Sequence, residues 1–280
     1  MHRLKWWQQL IYQTGFILVG IFAVLPIWSM ARIALDGSIH GAPMDFRLWP
    51  QEFTFEVFQH VWVKPSQTLA VPGLFLNSMI VAGGSALLSV IFGVSMAYAF
   101  ARFRFPGRQI GLFSLLVVAF LPPVALMTPL YILLSMLGLR TSLFGLIIVY
   151  TAFAMPFCVW NMRTAFQAVP HELDEAAFLD GATPIKSFIY VNIPLALPAI
   201  AVAALLAFLL GYTEFAIGWL FVESAENVTL AMAVSGMMQQ SGAEWSRISA
   251  MAILMSIPVV IIFLILHKYL LRGFLAGGVD

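Results

Sequence analysis

The stretch PHELDEAAFLDGATPIKSFIYVNIPLALP, residues Pro170 to Pro198, is the longest polar interruption in the C-terminal two thirds of an otherwise apolar chain. Pro170 suits the first position of a helix. Three acids follow early enough to favour the positive end of the helix dipole: Glu172, Asp174 and Glu175. The stretch therefore predicts a helix that begins at its first residues.

The second half of the stretch predicts a turn and another helix. Gly181 is suited to ending the first helix. Thr183 followed by Pro184 is typical of an N-cap residue with a proline in the first turn. A second short helix is expected to run from there towards the apolar segment near Pro194, so that the whole stretch forms a helix, a sharp turn and a helix.

An amphipathic helix lying on lipid would produce most of the same signals. Two features favour a helix that fits a protein groove instead. The acids fall on several sides of the helical wheel, and the small pair Ala176 and Ala177 leaves no broad apolar stripe.

The spacing within the stretch carries a family resemblance. Three residues separate an initial Glu-Ala-Ala from a glycine, and nine more separate that glycine from an apolar end with proline: Glu175, Ala176, Ala177, Gly181, Val191, Asn192, Ile193 and Pro194. This pattern resembles the cytoplasmic EAA motif of the permease subunits of bacterial ABC importers. The resemblance implies a coupling helix that docks in a cleft of a cytoplasmic ATPase, with contacts at Glu172, Glu175, Ala176, Ala177, Gly181, Pro184 and Pro194.

Composition bounds the class of protein. The chain has 280 residues, of which 61% are hydrophobic and 10% charged, with a mean hydropathy of +0.94. Soluble domains have roughly a quarter charged residues, so these values indicate an integral membrane protein in contact with lipid. The net charge of +1 gives no reason to expect nucleic acid binding.

The residue inventory gives no sign of a cofactor on this chain. The single cysteine, Cys158, excludes an intrachain disulfide framework and a thiolate metal cluster. The five histidines include no pair spaced i, i+4, so no metal site is expected. No GxxxxGK[ST] loop occurs, so any ATP that drives this protein must bind to another chain.

Hydropathy predicts an all-α polytopic membrane protein with six transmembrane helices, and the resemblance implies that residues 1–280 form a single permease domain. The expected spans are 10–34, 74–101, 110–137, 142–166, 194–214 and 248–271, with loops at 36–72 and 222–247 and the coupling segment at 170–193. Small residues recur at every fourth position of the second span and predict a seam between helices: Ser85, Ser89, Gly93, Ala97 and Ala101. The third span contains Pro122, Pro123 and Pro129, which predict a bent or partly unwound helix, either lining a cavity or simply kinked.

The distribution of basic residues predicts the orientation. Six spans place both termini on one side. Nine basic residues lie on that side (Arg3, Lys5, Arg102, Arg104, Arg108, Arg163, Lys186, Lys268, Arg272) and five on the other (Arg32, Arg47, Lys64, Arg140, Arg247). The positive-inside rule therefore places both termini and the coupling segment in the cytoplasm and the two loops outside.

The resemblance extends from about Asn77 to the C-terminus, including YAFARFRFPG at 98–107 and PLYILLSMLG at 129–138. The chain is similar to the six-span permease of maltose transporters and to carbohydrate-uptake permeases generally. This resemblance implies location in the bacterial inner membrane, a second permease, two ATPase subunits that hold ATP and Mg, and an extracytoplasmic solute-binding protein. It also implies that the tail reaches between the ATPases through Leu275, Ala276, Gly277 and Gly278, and that residues 227–245 probe the binding protein.

Substrate contact is expected in the aromatic and proline-rich region of spans three to five, because flat sugar faces pack on aromatic rings. The candidates are Pro122, Pro123, Tyr212, Glu214 and Trp219. A glutamate at membrane depth is costly unless it meets water or a partner, so Glu214 is either functional or placed at the outer interface.

Two alternatives come from other classes of protein. A polytopic membrane enzyme should show paired acids, a metal set or an activated nucleophile near the interface. A secondary transporter should show inverted repeats and ion-coupling acids within its spans. Neither pattern is visible in this sequence.

Overall fold

The computed structural model describes residues 5–39, 41–43, 45–63, 65, 69–239 and 243–276, with side chains as far as His267. Within these residues the chain is built from helices, and one isolated antiparallel bridge joins Asp36 to Phe53. The α-helices are α1 (Trp6–Ala34), α2 (Glu56–Val63), α3 (Val71–Arg102), α4 (Arg108–Phe120), α5 (Pro123–Met136), α6 (Leu143–Ala168), α7 (His171–Leu179), α8 (Pro184–Ser187), α9 (Ile193–Thr213), α10 (Ala216–Phe221), α11 (Leu230–Gln239) and α12 (Trp245–Ala276). A π-helix, Phe188–Asn192, joins α8 to α9, and a short 3₁₀ turn, Ala225–Asn227, precedes α11.

Five helical runs in the described residues are long and apolar enough to cross a membrane. They are Trp6–Ala34, Val71–Arg102, Leu143–Ala168, Pro184–Thr213 and Trp245–His267. Each overlaps one expected span. The largest difference in a boundary is in the fourth run, which begins ten residues before the expected start at Pro194 and includes α8 and the π-helix.

The expected third span is broken into two helices, α4 and α5, which meet at an angle of 103°. The break falls at Leu121 and Pro122, and Pro123 occupies the start of α5. Proline lacks a backbone N–H and its ring clashes with the preceding turn, so two consecutive prolines end α4. Pro129 lies inside α5 without ending it. The prediction of a bent helix is confirmed, and the bend comes from the first two prolines.

By its internal contacts the chain divides into two units, the first comprising residues 1–71 and 234–256. Its loop after α1 is organised by Asp36, which is buried. The carboxylate accepts hydrogen bonds from Ser38 Oγ at 2.7 Å and from the backbone N–H groups of Gln51 at 3.0 Å and Glu52 at 3.3 Å. One carboxylate thus holds two separate parts of this loop together.

We predict that Asp36 makes the stability of this loop depend on pH. Burial by itself would raise the pKa of Asp36, but the hydrogen bonds from Ser38, Gln51 and Glu52 outweigh it and lower that pKa below 3.8. A lowered pKa in the folded state means that the stabilisation is present above the unfolded pKa of about 3.9 and is lost as the pH falls through the folded value. The difference in thermal stability between the wild type and Asp36→Asn should therefore be largest near pH 7 and shrink below about pH 4. A difference that is the same at pH 7 and pH 3 would contradict this.

The second unit, residues 72–233 and 257–280, has its core between α3, α6 and α9. Ser85, Ser89 and Ala97 of α3 are completely buried. A Cβ on Gly93 would come within 2.8 Å of Met162 of α6, and one on Gly211 of α9 within 2.6 Å of Ser85. The small residues of α3 therefore allow both neighbours to approach closely, which confirms the predicted seam.

Candidate functional site

The stretch that opened the sequence analysis folds as a helix, a turn and a helix. Helix α7 begins at His171, one residue later than predicted, because Pro170 is its N-cap and not its first helical residue. Gly181 follows α7 with φ of +82°, and the N–H of Ala182 donates to the carbonyl of Ala177 at 2.9 Å. Left-handed backbone of this kind favours glycine and ends a helix sharply.

The second helix of the stretch starts as predicted. Thr183 is the N-cap of α8, and its hydroxyl accepts from the N–H of Lys186 at 3.3 Å. Pro184 occupies the first helical position. Helix α8 does not stop before the apolar segment but continues through the π-helix into α9. Pro194 accounts for the π-helix, because in a regular α-helix its ring would clash with the carbonyl group four residues earlier. The wider turn of a π-helix, with hydrogen bonds between residues i and i+5, avoids that clash.

Asp174 points away from solvent into the protein. Its Oδ1 accepts hydrogen bonds from Ser187 Oγ at 2.5 Å and from Asn192 Nδ2 at 2.6 Å. Its Oδ2 lies 3.3 Å from Nε of Arg102, and the two side chains are only 10% and 5% exposed. A buried carboxylate with a counter-charge and two hydrogen-bond donors is well compensated for its loss of water.

Arg102, the last residue of α3, extends this cluster to the chain on both sides of α7. One terminal nitrogen donates to the carbonyl of Val169 at 2.9 Å and to Oδ1 of Asn192 at 3.1 Å. The other lies 3.2 Å from Nδ1 of His171. We call the four side chains Arg102, Asp174, Ser187 and Asn192 the anchor cluster. It joins α3, α7, α8 and the π-helix at one point.

The anchor cluster was not identified from the sequence. In the sequence Asp174 is one of three acids that favour the helix dipole, whereas in the structure its buried side chain fixes the helix to its neighbours. Two signals could have found its partners. Arg102 ends a long apolar helix, and Asn192 lies in the apolar run before Pro194. Such polar residues require partners when they are buried.

The other face of α7 is open. Glu172, Glu175 and Ala176 are exposed and Ala177 is partly buried, while Gly181, Pro184 and Pro194 are also exposed. Two large apolar side chains beside them are strongly exposed, Leu179 at 90% and Ile185 at 70%. Exposed apolar residues that lie between acids are typical of an interaction surface.

The residues expected near the substrate lie at the junction of α9 and α10 and at the break before α5. Tyr212 is buried and its ring stacks on Phe208. The Glu214 carboxylate accepts from the Tyr150 hydroxyl at 2.7 Å and from the N–H groups of Ile217 and Gly218. Its acceptors are therefore engaged within the chain. Trp219 is 44% exposed and donates its indole N–H to the carbonyl of Met232, while Pro122 and Pro123 are exposed.

We predict that Glu214→Leu destabilises the protein by about 2 to 3 kcal/mol, because it leaves the buried Tyr150 hydroxyl and two backbone N–H groups without an acceptor. Glu214→Gln keeps one acceptor oxygen and should cost less than half as much. The measurement is the midpoint of thermal unfolding of each variant in detergent. Equal midpoints for Glu214→Leu and the wild type would show that these hydrogen bonds contribute nothing.

Two further predictions concern the C-terminal tail and the absence of a metal site, and the described residues bear on them only in part. Leu275 and Ala276 end α12, but their side chains lie outside the described part, as do Gly277 and Gly278 entirely. The contact of this tail with an ATPase stays a prediction. Among the described residues no three His, Cys, Asp or Glu side chains are grouped so that they could hold a metal ion.

Residues 89–275 match the family of binding-protein-dependent transport system inner membrane components, and the chain belongs to that family. It is 32% identical over 258 residues to the maltose/maltodextrin transport system permease protein MalG of Salmonella typhimurium, covering 90% of this chain and 81% of the relative. It is 28% identical over 265 residues to the trehalose transport system permease protein SugB of Mycobacterium tuberculosis, covering 94% of each.

The fold is shared with solved transporters. A bacterial ABC transporter involved in the import of the acidic polysaccharide alginate aligns with a TM-score of 0.75 and 23% identity, covering 96% of this chain and 99% of that chain. The MetNI methionine ABC transporter in inward-facing conformations aligns with a TM-score of 0.59 and 20% identity, covering 75% and 98%.

These comparisons define a multi-pass inner-membrane permease subunit of an ABC importer. The chain is not itself an enzyme, since ATP hydrolysis in this class lies on separate subunits. The comparisons support this reading over a membrane enzyme or a secondary transporter.

Proposed function

We propose that this chain forms half of the pathway of a carbohydrate importer and that α7 and α8 receive the movement of the ATPase. The observation that carries the coupling role is the division of α7 into two faces. Asp174 is buried in the anchor cluster, whereas Glu172 and Glu175 are exposed beside Leu179. A helix that is fixed to the protein on one face can pass a movement of a partner bound to its other face on to the helices behind it.

The carbohydrate cargo is supported by the relatives, one named for maltose and maltodextrin and one for trehalose. A second permease would complete the pathway, two ATPase subunits would hold ATP and Mg, and a solute-binding protein would deliver the cargo from outside. The excess of basic residues supports cytoplasmic termini and a cytoplasmic α7. Closure of the ATPases would then move α7 and switch the spans between outward and inward access.

The test of this assembly is affinity purification of the chain from its native membrane in mild detergent, with identification of the proteins that accompany it. We expect an ATPase pair, a second permease and a solute-binding protein whose ligand is a carbohydrate. Recovery of the chain alone would contradict the proposal, and a binding protein specific for another class of solute would contradict the cargo.

We predict that Glu175→Lys abolishes ATP-driven uptake while the protein stays in the membrane at its normal level. The exposed carboxylate is suited to a charge-assisted hydrogen bond with the ATPase, and a lysine would reverse the charge at that contact. Glu175→Gln, which keeps the size and removes the charge, is the matched control and should lose only part of the uptake. The measurements are uptake of labelled substrate and immunoblotting of membranes. Normal uptake by Glu175→Lys would exclude a role for this charge.

A further inference from the structure

The cytoplasmic end of α3 contacts the coupling segment through an ion pair, hydrogen bonds and aromatic packing. Arg102 makes an ion pair with Asp174 and hydrogen bonds with Val169 and Asn192. One turn earlier, the Tyr98 ring packs against Phe188 of the π-helix, with ring centroids 4.5 Å apart. The end of α3 therefore contacts the coupling segment through both polar and aromatic groups.

Arginine is chemically suited to this position. Its planar guanidinium carries five N–H donors at fixed angles and stays charged, whereas lysine offers one compact charge on a flexible stem. Here the charge pairs with the Asp174 carboxylate of α7, while one terminal nitrogen donates to a backbone carbonyl and to an amide oxygen. The carbonyl belongs to Val169, two residues before α7, and the amide oxygen to Asn192 of the π-helix. The geometry fixes the direction of α7 relative to α3 and not merely its distance.

Helix α3 in turn contacts the helices on either side of it. Its buried line of small residues packs against Met162 of α6 and Gly211 of α9. Displacement of α3 along its axis would move these packed surfaces together, because interdigitated side chains do not slide past one another freely. A displacement of α3 at Arg102 would therefore also displace the core of the second unit. This transmission starts from α3 and does not require that α9 moves first.

We propose that Arg102 is a positioning residue that makes the cytoplasmic end of α3 move together with α7. The movement of the ATPase subunits is then transmitted to the transmembrane helices through α3 as well as through α9. This inference rests on the proposed coupling function of α7. It goes further by assigning a residue outside the motif, and a second helix, to the transmission of movement. A purely structural Arg102 would affect how much complex assembles, but not how well each assembled complex couples hydrolysis to uptake.

The test compares Arg102→Gln and Arg102→Lys with the wild type in proteoliposomes that contain the complete transporter. Uptake and ATP hydrolysis are both measured per assembled complex. We expect Arg102→Gln to lower uptake at least tenfold while hydrolysis falls less than threefold, and Arg102→Lys to recover part of the ratio. Arg104→Gln, an exposed arginine two residues further along, is the matched control and should keep the wild-type ratio. A wild-type ratio for Arg102→Gln would overturn the proposal.

A distance measurement tests the same inference without relying on uptake or hydrolysis rates. Spin labels at Ser95 on α3 and Lys186 on α8, both exposed, are introduced with Cys158 replaced by alanine. We expect one narrow distance distribution in the nucleotide-free and ATP-bound wild type, and a broader one in Arg102→Lys or Arg102→Gln. A distance that changes between the two wild-type states would overturn joint movement. Failure of wild-type complexes to show ATP-driven uptake would instead refute the proposed function.

Discussion

Asp174→Ala is expected to lower the free energy of unfolding by about 3 to 5 kcal/mol, since it leaves a buried guanidinium without its counter-charge. The side chain of Arg102 is only 5% exposed, so water cannot replace the lost carboxylate. Ser187 and Asn192 also lose their acceptor.

The measurement is denaturant unfolding of the purified protein in detergent, followed by circular dichroism. Asp174→Asn keeps an acceptor oxygen but removes the charge, and we expect it to lie between the wild type and Asp174→Ala. Asp180→Ala is the control: Asp180 is the exposed C-cap residue of the same helix, and its loss should change stability by less than about 0.5 kcal/mol. If Asp174→Ala and Asp180→Ala were equally stable, the anchor cluster would not contribute to stability.

The local features of this fold could be predicted from the sequence because each depends on neighbouring residues. The turn at Gly181 and the cap at Thr183 depend on backbone preferences within a few residues. The break at Pro122 follows from the missing N–H and the ring of proline. The small residues of α3 predicted its seam because their spacing matches the helical repeat.

The pairing within the anchor cluster could not be predicted, although Arg102 and Asn192 each stand out as polar residues in apolar runs, because its members come together only in the folded chain. Arg102 and Asp174 belong to helices that are separated by all of α4, α5 and α6. From the sequence, Asp174 cannot be distinguished from the exposed acids Glu172 and Glu175. The distinction comes from the π-helix, which directs the Asn192 side chain towards α7.

The structure also changes the interpretation of Glu214. Membrane depth made it a functional candidate, but its carboxylate accepts from Tyr150 and from two N–H groups at the start of α10. These bonds account for a carboxylate at this depth without a cargo molecule. The position of Glu214 is therefore no longer evidence that it contacts substrate. Uptake measurements on Glu214→Gln test that contact directly.

Gly181→Leu is expected to reduce uptake at least tenfold while the protein stays in the membrane. Gly181 has φ of +82°, and a side chain in left-handed backbone costs about 1 to 2 kcal/mol. A Cβ there would meet no atom within 4 Å, so the cost is conformational and not steric. The turn can relieve this strain by changing the angle between α7 and α8, which would move the exposed face of α7 away from the proposed ATPase contact.

This physical cause predicts an order among substitutions that a contact surface at Gly181 would not give. Gly181→Asn should keep most of the uptake, because asparagine tolerates left-handed backbone, and Gly181→Ala should lose more despite its smaller side chain. Gly83→Ala is the control, since Gly83 lies within α3 and a Cβ there also meets nothing within 4 Å. Uptake is measured with labelled substrate and normalised to membrane content. Better uptake by Gly181→Ala than by Gly181→Asn would show that side-chain size, and not backbone conformation, sets the requirement for glycine.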